Sequence, residues 1–543
     1  MSADARPPLR SAALWALLAL FLVEFFLFDR FGSHRFTAIF PRWNDQIQYL
    51  GEAYTGYEYA RTHGLAAGLW QTLVNGSAQG TLHDFAATLA FSLVGPSRSA
   101  ALALNLLALI AWQFALYLAV ARTSNSRALA LASAALPLAL CGPWDDIPGS
   151  AYDFRLDHFA MCALGLTSAV ALLTDRFRSR RWSLALGAAV AFTLLTRFLT
   201  GTYFVVIFFS ALTWILCGAD RKLRAANLAL AALVAFVLTA PLFWLNREWV
   251  WNYYWIGHYV GPESAIRSQN FGLGQSLSFV GGQLAQRHLG VFFGALAVLG
   301  TVGLFLTRSR ERQRVDSASS HEIWFFAALF LLAPAFVLTL HQQKSEVVVS
   351  ALVPGAILLV VATWHTVARP AASPRALPIV ATALVVAALG FFAQRQFRSA
   401  IPSAHLAEYR RVNFLADTIV RRSQAARLPE WRIAVDYVTD ALDANTLRIL
   451  CYERHRLWLP FDMTLPTGIA EPSEAEVMAR LARSDFVFLT ADAPRGAYPF
   501  DHKLAALHPT LRAWCDAHLR LVERFSYFGR SMILYQRREI PFP

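Results

Sequence analysis

From about Leu9 to Gln394 the chain alternates between long apolar runs and short polar connections. Eleven of the runs approach the ~20 residues that a helix needs to cross a bilayer: about 9–28, 97–121, 127–142, 157–174, 182–196, 202–217, 226–245, 289–306, 322–340, 347–368 and 376–394. The weaker apolar stretch Phe85–Gly95 predicts a re-entrant or interfacial helix. After about residue 400 the pattern becomes a mixture of charged and apolar positions. There Trp431–Val438, Asp485–Thr490, Leu519–Tyr527 and Ser531–Gln536 read as strands, and Ala404–Arg427, Ser473–Arg483 and Pro509–His518 as helices. The expected architecture is a mainly α polytopic membrane protein, residues 1–395, followed by an extracytoplasmic α/β domain, residues 396–543.

Composition agrees with a membrane solvent, since 56% of the 543 residues are hydrophobic and only 16% are charged. The formal charge of +13 does not point to nucleic acid, because the basic residues sit in short clusters between apolar runs and form no contiguous soluble face. Only three of the 49 basic residues are lysines, Lys222, Lys344 and Lys503, a bias that reads as genome composition.

The first run follows Arg6 and Arg10 and lacks a small-residue cleavage site, so it is expected to remain as a membrane helix with a cytoplasmic N-terminus. Alternation then places the arginine clusters Asp175–Arg181, Asp220–Arg224, Arg308–Arg314 and Arg369–Arg375 in the cytoplasm, as the positive-inside rule requires. The same count puts segments 29–84, 143–156, 246–288, 341–346 and everything after about Gln394 outside. A multi-pass bacterial plasma (inner) membrane protein is expected, with its C-terminal domain in the periplasm.

The five cysteines form no metal-type spacing, and their odd number argues against a full disulfide framework, leaving Cys451–Cys515 as a candidate bridge. The tail contains no phosphate loop, nucleophile elbow or zinc spacing. Scattered histidines (His63, His83, His258, His288, His341) leave a composite divalent-metal site open, with no metal ligand assigned.

Candidate chemistry collects in the outside segments. In Trp43-Asn44-Asp45, Asn44 is placed to cap a helix whose first residue is Asp45, where the helix dipole favours an ionised carboxylate able to accept a proton. An interfacial amphipathic helix with an aromatic belt is the structural alternative for this segment. In Asp153-Phe154-Arg155-Leu156-Asp157, helical spacing would put both aspartates on one face with Arg155 turned elsewhere. Arg197 and Lys344 lie at the outer ends of spans, where a cation can meet a phosphate or snorkel toward headgroups.

Taken together these residues resemble the integral-membrane C-type glycosyltransferases, in the branch of protein O-mannosyltransferases and lipid A aminoarabinose transferases. Asp45, Tyr49 and Ala53 match the family's first outside loop, with Gln46 where the family has Glu. Leu82-His83-Asp84-Phe85 stands where the family has Lys-Pro-Pro-Leu. Phe91–Pro96 and then Ala101–Arg122 resemble the family's passage through the next span. Arg155 and Asp157 resemble its Arg and Asp before the fourth span, and Gly187 through Leu195-Thr196-Arg197 its Gly-Leu-x-x-Leu-Thr-Lys run. Thr239–Trp244 and Gln343-Lys344-Ser345 through Pro354 follow in the family's order, so that the resemblance covers about residues 10–365.

The resemblance implies transfer of a sugar from a polyprenyl-phosphate donor to an extracytoplasmic glycan, glycolipid or protein, with inversion. It makes Asp45 the general base and Asp157 a second catalytic-site carboxylate that orients the acceptor or an arginine. Arg155, Arg197 and Lys344 become donor-phosphate ligands, and Trp43, Tyr49, His83 and Asp84 substrate contacts. The competing readings are a transporter or lipid flippase, a lipid-diphosphate oligosaccharyltransferase, and a noncatalytic scaffold. Sugar, acceptor and oligomeric state are not specified by the sequence.

Overall fold

The structure is a computed structural model that describes residues 11–38, 44–74, 78–260, 264, 269–306, 318–368, 376–398, 403–425, 432–436, 444–463, 473–492, 502–527 and 530–539. Each of the eleven expected spans coincides with a helix among these residues. Eight helices are long and apolar enough to cross a membrane, and shorter apolar helices such as Arg127–Ala139 and Thr200–Leu216 stand among them. The protein is a multi-pass membrane protein.

The run expected at 289–306 is longer in the structure. A continuous helical stretch covers Leu273–Leu306, because Gln283, Gln286, Arg287 and His288 interrupt hydropathy without breaking the helix and are accommodated in a wider π turn over Gln283–Leu289. Segment 29–84, expected as a loop, folds largely into the helices Asn44–His63, Leu65–Val74 and the start of Leu82–Val94. These three pack on one another, and the last also packs on Arg98–Ser124.

The two ends of the helical assembly are chemically distinct. At one end Arg176 N donates to Glu322 at 2.8 Å, and Arg178 pairs with Asp220 at 3.0 Å. At the opposite end of those same helices lie Asp45, Arg155 and Arg197, together with the C-terminal domain. Segments separated by the whole length of the chain thus meet on one side of the apolar slab.

The C-terminal domain is a five-stranded mixed sheet of order β2-β1-β3-β5-β4, with β1 Ile433–Val435, β2 Phe461–Met463, β3 Phe486–Thr490, β4 Leu519–Tyr527 and β5 Arg530–Arg537. Strands β1, β2 and β3 run parallel, while β5 is antiparallel to both β3 and β4. Alternate residues feed two cores. Ile433, Phe486 and Leu534 face one side, and Ala434, Val487 and Tyr535 face the other. The expected strand at 431–438 shortens to β1, with Trp431 and residues 437–438 outside the described residues. Strand β2 and the Ala444–His455 helix escaped the sequence reading: one is only three residues long, and the other carries a weak apolar stripe.

The candidate Cys451–Cys515 bridge is excluded by this sheet. Both thiols are free and buried, Cys451 in one core and Cys515 in the other, with the strands between them.

The Ala444–His455 helix fastens this domain to the helical assembly. Tyr54 Oη donates to Glu453 at 2.8 Å, Arg98 Nε meets Glu453 at 3.0 Å, and Arg456 donates to the Pro96 carbonyl at 2.9 Å. Tyr452 donates to Glu58, and Ile449 and Tyr452 enter the same apolar core as the membrane helices.

Candidate functional site

The Asn44–His63 helix starts with Asp45 in its first turn. Trp43 and the side chain of the proposed cap Asn44 lie outside the described residues. Gln46, which takes the position of the family's Glu, is buried and donates from Nε2 to the Tyr152 carbonyl at 3.2 Å, a role that an ionised carboxylate has no proton to fill. This bond, with Asn105 Nδ2 donating to the carbonyls of Ala151 and Asp153 at 3.1 Å each, holds segment 143–155 against the Asn44–His63 and Arg98–Ser124 helices. Gly149, at φ +80, makes the left-handed turn there and donates to Asp153 Oδ2 at 2.6 Å.

The Leu156–Leu173 helix begins after Arg155, whose extended backbone occupies the N-cap position. Asp153 and Asp157 therefore do not share a helix face, and Arg155 does not turn away from them. Its Nη2 lies 2.9 Å from Asp45 Oδ2 and its Nε 3.1 Å from Asp157 Oδ2, with Asp153 Oδ2 at 3.9 Å. Asp157 also pairs with Arg197. The result is a ladder of alternating charge, Asp45–Arg155–Asp157–Arg197, drawn from three separate segments.

Position along the ladder sets what each group can do. The Asp45 side chain is 42% exposed, whereas Asp157 is only 2% exposed and lies between two guanidinium groups. Asp157 is thus enclosed by the arginines, while the Asp45 carboxylate is open to solvent. Burial pushes the Asp153 carboxyl up to about 7, against the opposing pull of Arg155 and the Gly149 amide.

Arg197 is set by a close backbone approach. The Arg180–Thr196 helix ends one residue before it, and Thr81 N donates to Leu195 O while Phe198 N donates to Gln79 O, both at 2.8 Å. Gly80 lies between these bonds, where any Cβ would run into the Thr196 carbonyl.

The remaining expected site residues fall into two groups. Tyr49 and His83 are buried side by side with ring centroids 6.3 Å apart, and His83 packs against Phe154 at 4.1 Å with neither ring nitrogen hydrogen-bonded. They form a floor beneath the ladder. Asp84 faces a separate chamber alongside Glu52. Lys344 takes another job: its Nζ donates to the carbonyls of Leu338, Thr339 and His341 at 3.1, 2.8 and 2.7 Å, which uses its three protons to cap a helix C-terminus. Among the described residues no group of three or more His, Cys, Asp or Glu side chains converges to hold a metal.

Residues close to Arg197 in sequence contribute to two apolar cavities, neither of which Arg197 itself lines. One of about 350 Å³ is lined by Leu194, Gly201, Phe208, Thr239 and Phe330. The other, about 380 Å³, is lined by Phe198, Thr202, Tyr254, Phe336 and His341. Cations close to apolar hollows suit an amphiphile with an anionic head.

No family model matches the chain, and no curated protein matches it by sequence. Solved structures do. ArnT from Cupriavidus metallidurans in the apo state superposes with a TM-score of 0.61 at 16% identity, covering 96% of this chain and 98% of that one. ArnT from the same organism bound to undecaprenyl phosphate gives 0.60 at 15% identity, covering 98% and 100%. The oligosaccharyltransferase of Archaeoglobus fulgidus in its apo form gives 0.50 at 11%, covering 98% of this chain and 75% of that one. The chain has the fold of the C-type integral-membrane glycosyltransferases.

Proposed function

We propose that the chain is a membrane glycosyltransferase that moves a sugar from a polyprenyl-phosphate donor to an extracytoplasmic glycan, glycolipid or protein. The observation that carries this reading is the ladder itself: an accessible carboxylate, Asp45, held by Arg155, which shares Asp157 with a second cation, Arg197, whose sequence neighbours line two apolar cavities. The similarity to an ArnT structure bound to undecaprenyl phosphate supports the choice of donor.

In this scheme residues 1–395 form the catalytic module and residues 396–543 an extracytoplasmic domain above it, in an inner membrane with the N-terminus cytoplasmic. The prenyl chain occupies the apolar cavities and the phosphate approaches Arg155 and Arg197. Arg155 then exchanges Asp45 for a phosphate oxygen, which leaves the Asp45 carboxylate to receive the proton of the acceptor hydroxyl. The acceptor oxygen attacks the anomeric carbon, the bond from that carbon to the phosphate oxygen breaks, and polyprenyl phosphate departs with the electron pair. A single displacement inverts the anomeric centre. Phosphate leaves without a general acid, so Asp157 is needed to hold the arginines and not to give a proton. Lys344, committed to helix carbonyls, has no part in the scheme.

The test is a mass spectrum of prenyl lipids from cells carrying the wild type or Asp45→Asn at equal amounts of folded protein. Accumulation of a polyprenyl-phosphate sugar in the variant is expected, and an unchanged lipid profile would remove the assignment.

A further inference from the structure

A second polar chamber, about 240 Å³ in volume, lies along the same helix as Asp45, with one wall from the first outside segment and the other from the C-terminal domain. Its inner wall is a carboxyl pair. Glu52 and Asp84 both line it, and Gln48 Nε2 donates to Glu52 Oε1 at 2.9 Å. Burial raises the Glu52 carboxyl above its ordinary value.

The facing wall supplies the compensating charge. Arg448 donates to Asn445 Oδ1 at 3.2 Å and to the carbonyls of Leu459 and Phe461, and its guanidinium lies 5.7 Å from the Trp458 ring centroid. The carbonyls hold the arginine in place at the chamber edge. With carboxyl groups on one side and a guanidinium on the other, the chamber opposes charges of both signs and presents fixed donors, acceptors and an indole.

This chemistry favours an uncharged ring rich in hydroxyl groups. The carboxyl groups accept hydrogen bonds, the amide of Gln71 adds a donor and an acceptor, and Trp458 offers an apolar surface for C–H groups. A cation would find Arg448 opposing it, and a phosphate would find the carboxyl pair opposing it. The volume is below the ~300–1,000 Å³ of pockets for drug-sized ligands, which suits a single ring. Glu52 follows Asp45 by seven residues on one helix, or roughly 10 Å at 1.5 Å per residue.

We propose that this chamber binds a neutral sugar residue of the acceptor, so that the neighbouring acceptor hydroxyl reaches Asp45. The assignment rests on the glycosyl-transfer reading for the word acceptor, but its binding chemistry stands by itself. It makes the C-terminal domain part of the substrate site, and it makes Asp84, Glu52 and Arg448 specificity-determining residues.

The experiment uses the full chain in lipid nanodiscs and saturation-transfer NMR. The probes are methyl β-D-glucopyranoside, methyl β-D-galactopyranoside and methyl α-D-arabinofuranoside, with glucosamine and glucose 6-phosphate as charged counterparts. At least one neutral glycoside is expected to show transfer, reduced about tenfold by Trp458→Ala and by Glu52→Gln, while the charged sugars show none. Absence of transfer from all three neutral glycosides, equal transfer in both variants, or preference for a charged sugar would overturn the proposal. Should Trp458→Ala fail to fold, Glu52→Gln and Gln71→Ala decide the outcome alone. The prenyl-lipid experiment separates the two readings. Glycoside binding with an unchanged Asp45→Asn lipid profile keeps the chamber and removes glycosyl transfer, whereas lipid accumulation without glycoside binding does the reverse.

Discussion

Arg155 Nη2 and Asp45 Oδ2 lie 2.9 Å apart, although one belongs to the connection before the Leu156–Leu173 helix and the other to the first turn of the Asn44–His63 helix. The pair joins two parts of the chain at the point where the proposed scheme needs a base and an anion site to adjoin. Replacing Asp45 by Asn keeps the shape and removes the base. Transfer is expected to fall by roughly 10²–10⁴-fold, the range for loss of a general base, with melting behaviour near that of the wild type. Radiolabelled sugar transfer in membranes, normalised to folded protein, measures it.

Asp157 is expected to behave differently, because it is buried between Arg155 and Arg197. Asp157→Asn leaves two guanidinium groups without their shared carboxylate, at a cost of about 3–5 kcal/mol in stability. Thermal melts in detergent should show a lowered midpoint together with weaker binding of polyprenyl phosphate. A variant as stable as the wild type would refute the positioning role.

The carboxyl of Asp153 gives a pH signature. Its folded value of about 7 stands above its ordinary 3.8, so the native state takes up the proton more readily than the unfolded chain. The stabilisation from this proton is complete below the unfolded value and is lost as pH rises through about 7. The charges facing it are Arg155 and Asp45. Against Asp153→Asn, the wild type should lose stability by up to roughly 1.4 kcal/mol per pH unit between the two values. Parallel pH dependences for the two proteins in thermal melts would contradict this.

Gly80→Ala tests how Arg197 is placed. The added methyl meets the Thr196 carbonyl, so the bonds between segments 79–81 and 195–198 have to part. A loss of about 1–3 kcal/mol is expected, with donor binding reduced more than the stability change alone produces. Isothermal titration with polyprenyl phosphate, beside melts of the same sample, gives both quantities.

Glu453→Ala tests the docking of the C-terminal domain. It removes the acceptor for Tyr54 and the partner of Arg98. Loss of hydrogen bonds to a charged group costs about 1.5–3 kcal/mol each, and amide exchange in Ala444–His455 should accelerate while the membrane helices keep their protection.

Much of this was legible in the sequence, and the exceptions have physical causes. The eleven apolar runs announce themselves because lipid demands long apolar stretches, and each coincides with a helix, eight of the described helices being long enough to cross. Asp45 was visible as the first carboxylate of a capped helix in segment 29–84, and Arg155 and Arg197 as charges at the ends of apolar runs, but their partnership was not, since it depends on how loops fold over one another. The helical spacing assumed for Asp153 and Asp157 failed because the helix starts only at Leu156. Lys344 looked like a phosphate ligand because nothing local shows that three carbonyls of the preceding helix lie within its reach. Glu52 gave no signal of its own, since its partner Asp84 and the facing Arg448 come from remote segments.

The docking of Ala444–His455 on Tyr54, Arg98 and Pro96 carries a consequence for biogenesis. A nascent chain that has inserted its last apolar helix, Ala376–Phe397, already holds every rung of the Asp45–Arg197 ladder. It still lacks the wall formed by Arg448 and Trp458, and the ends of its first helices that the tail contacts are uncovered. Completion of the face that carries the ladder waits for translation of the tail, so the two ends of the helical assembly mature at different times, and the last-made segment closes the first-made one.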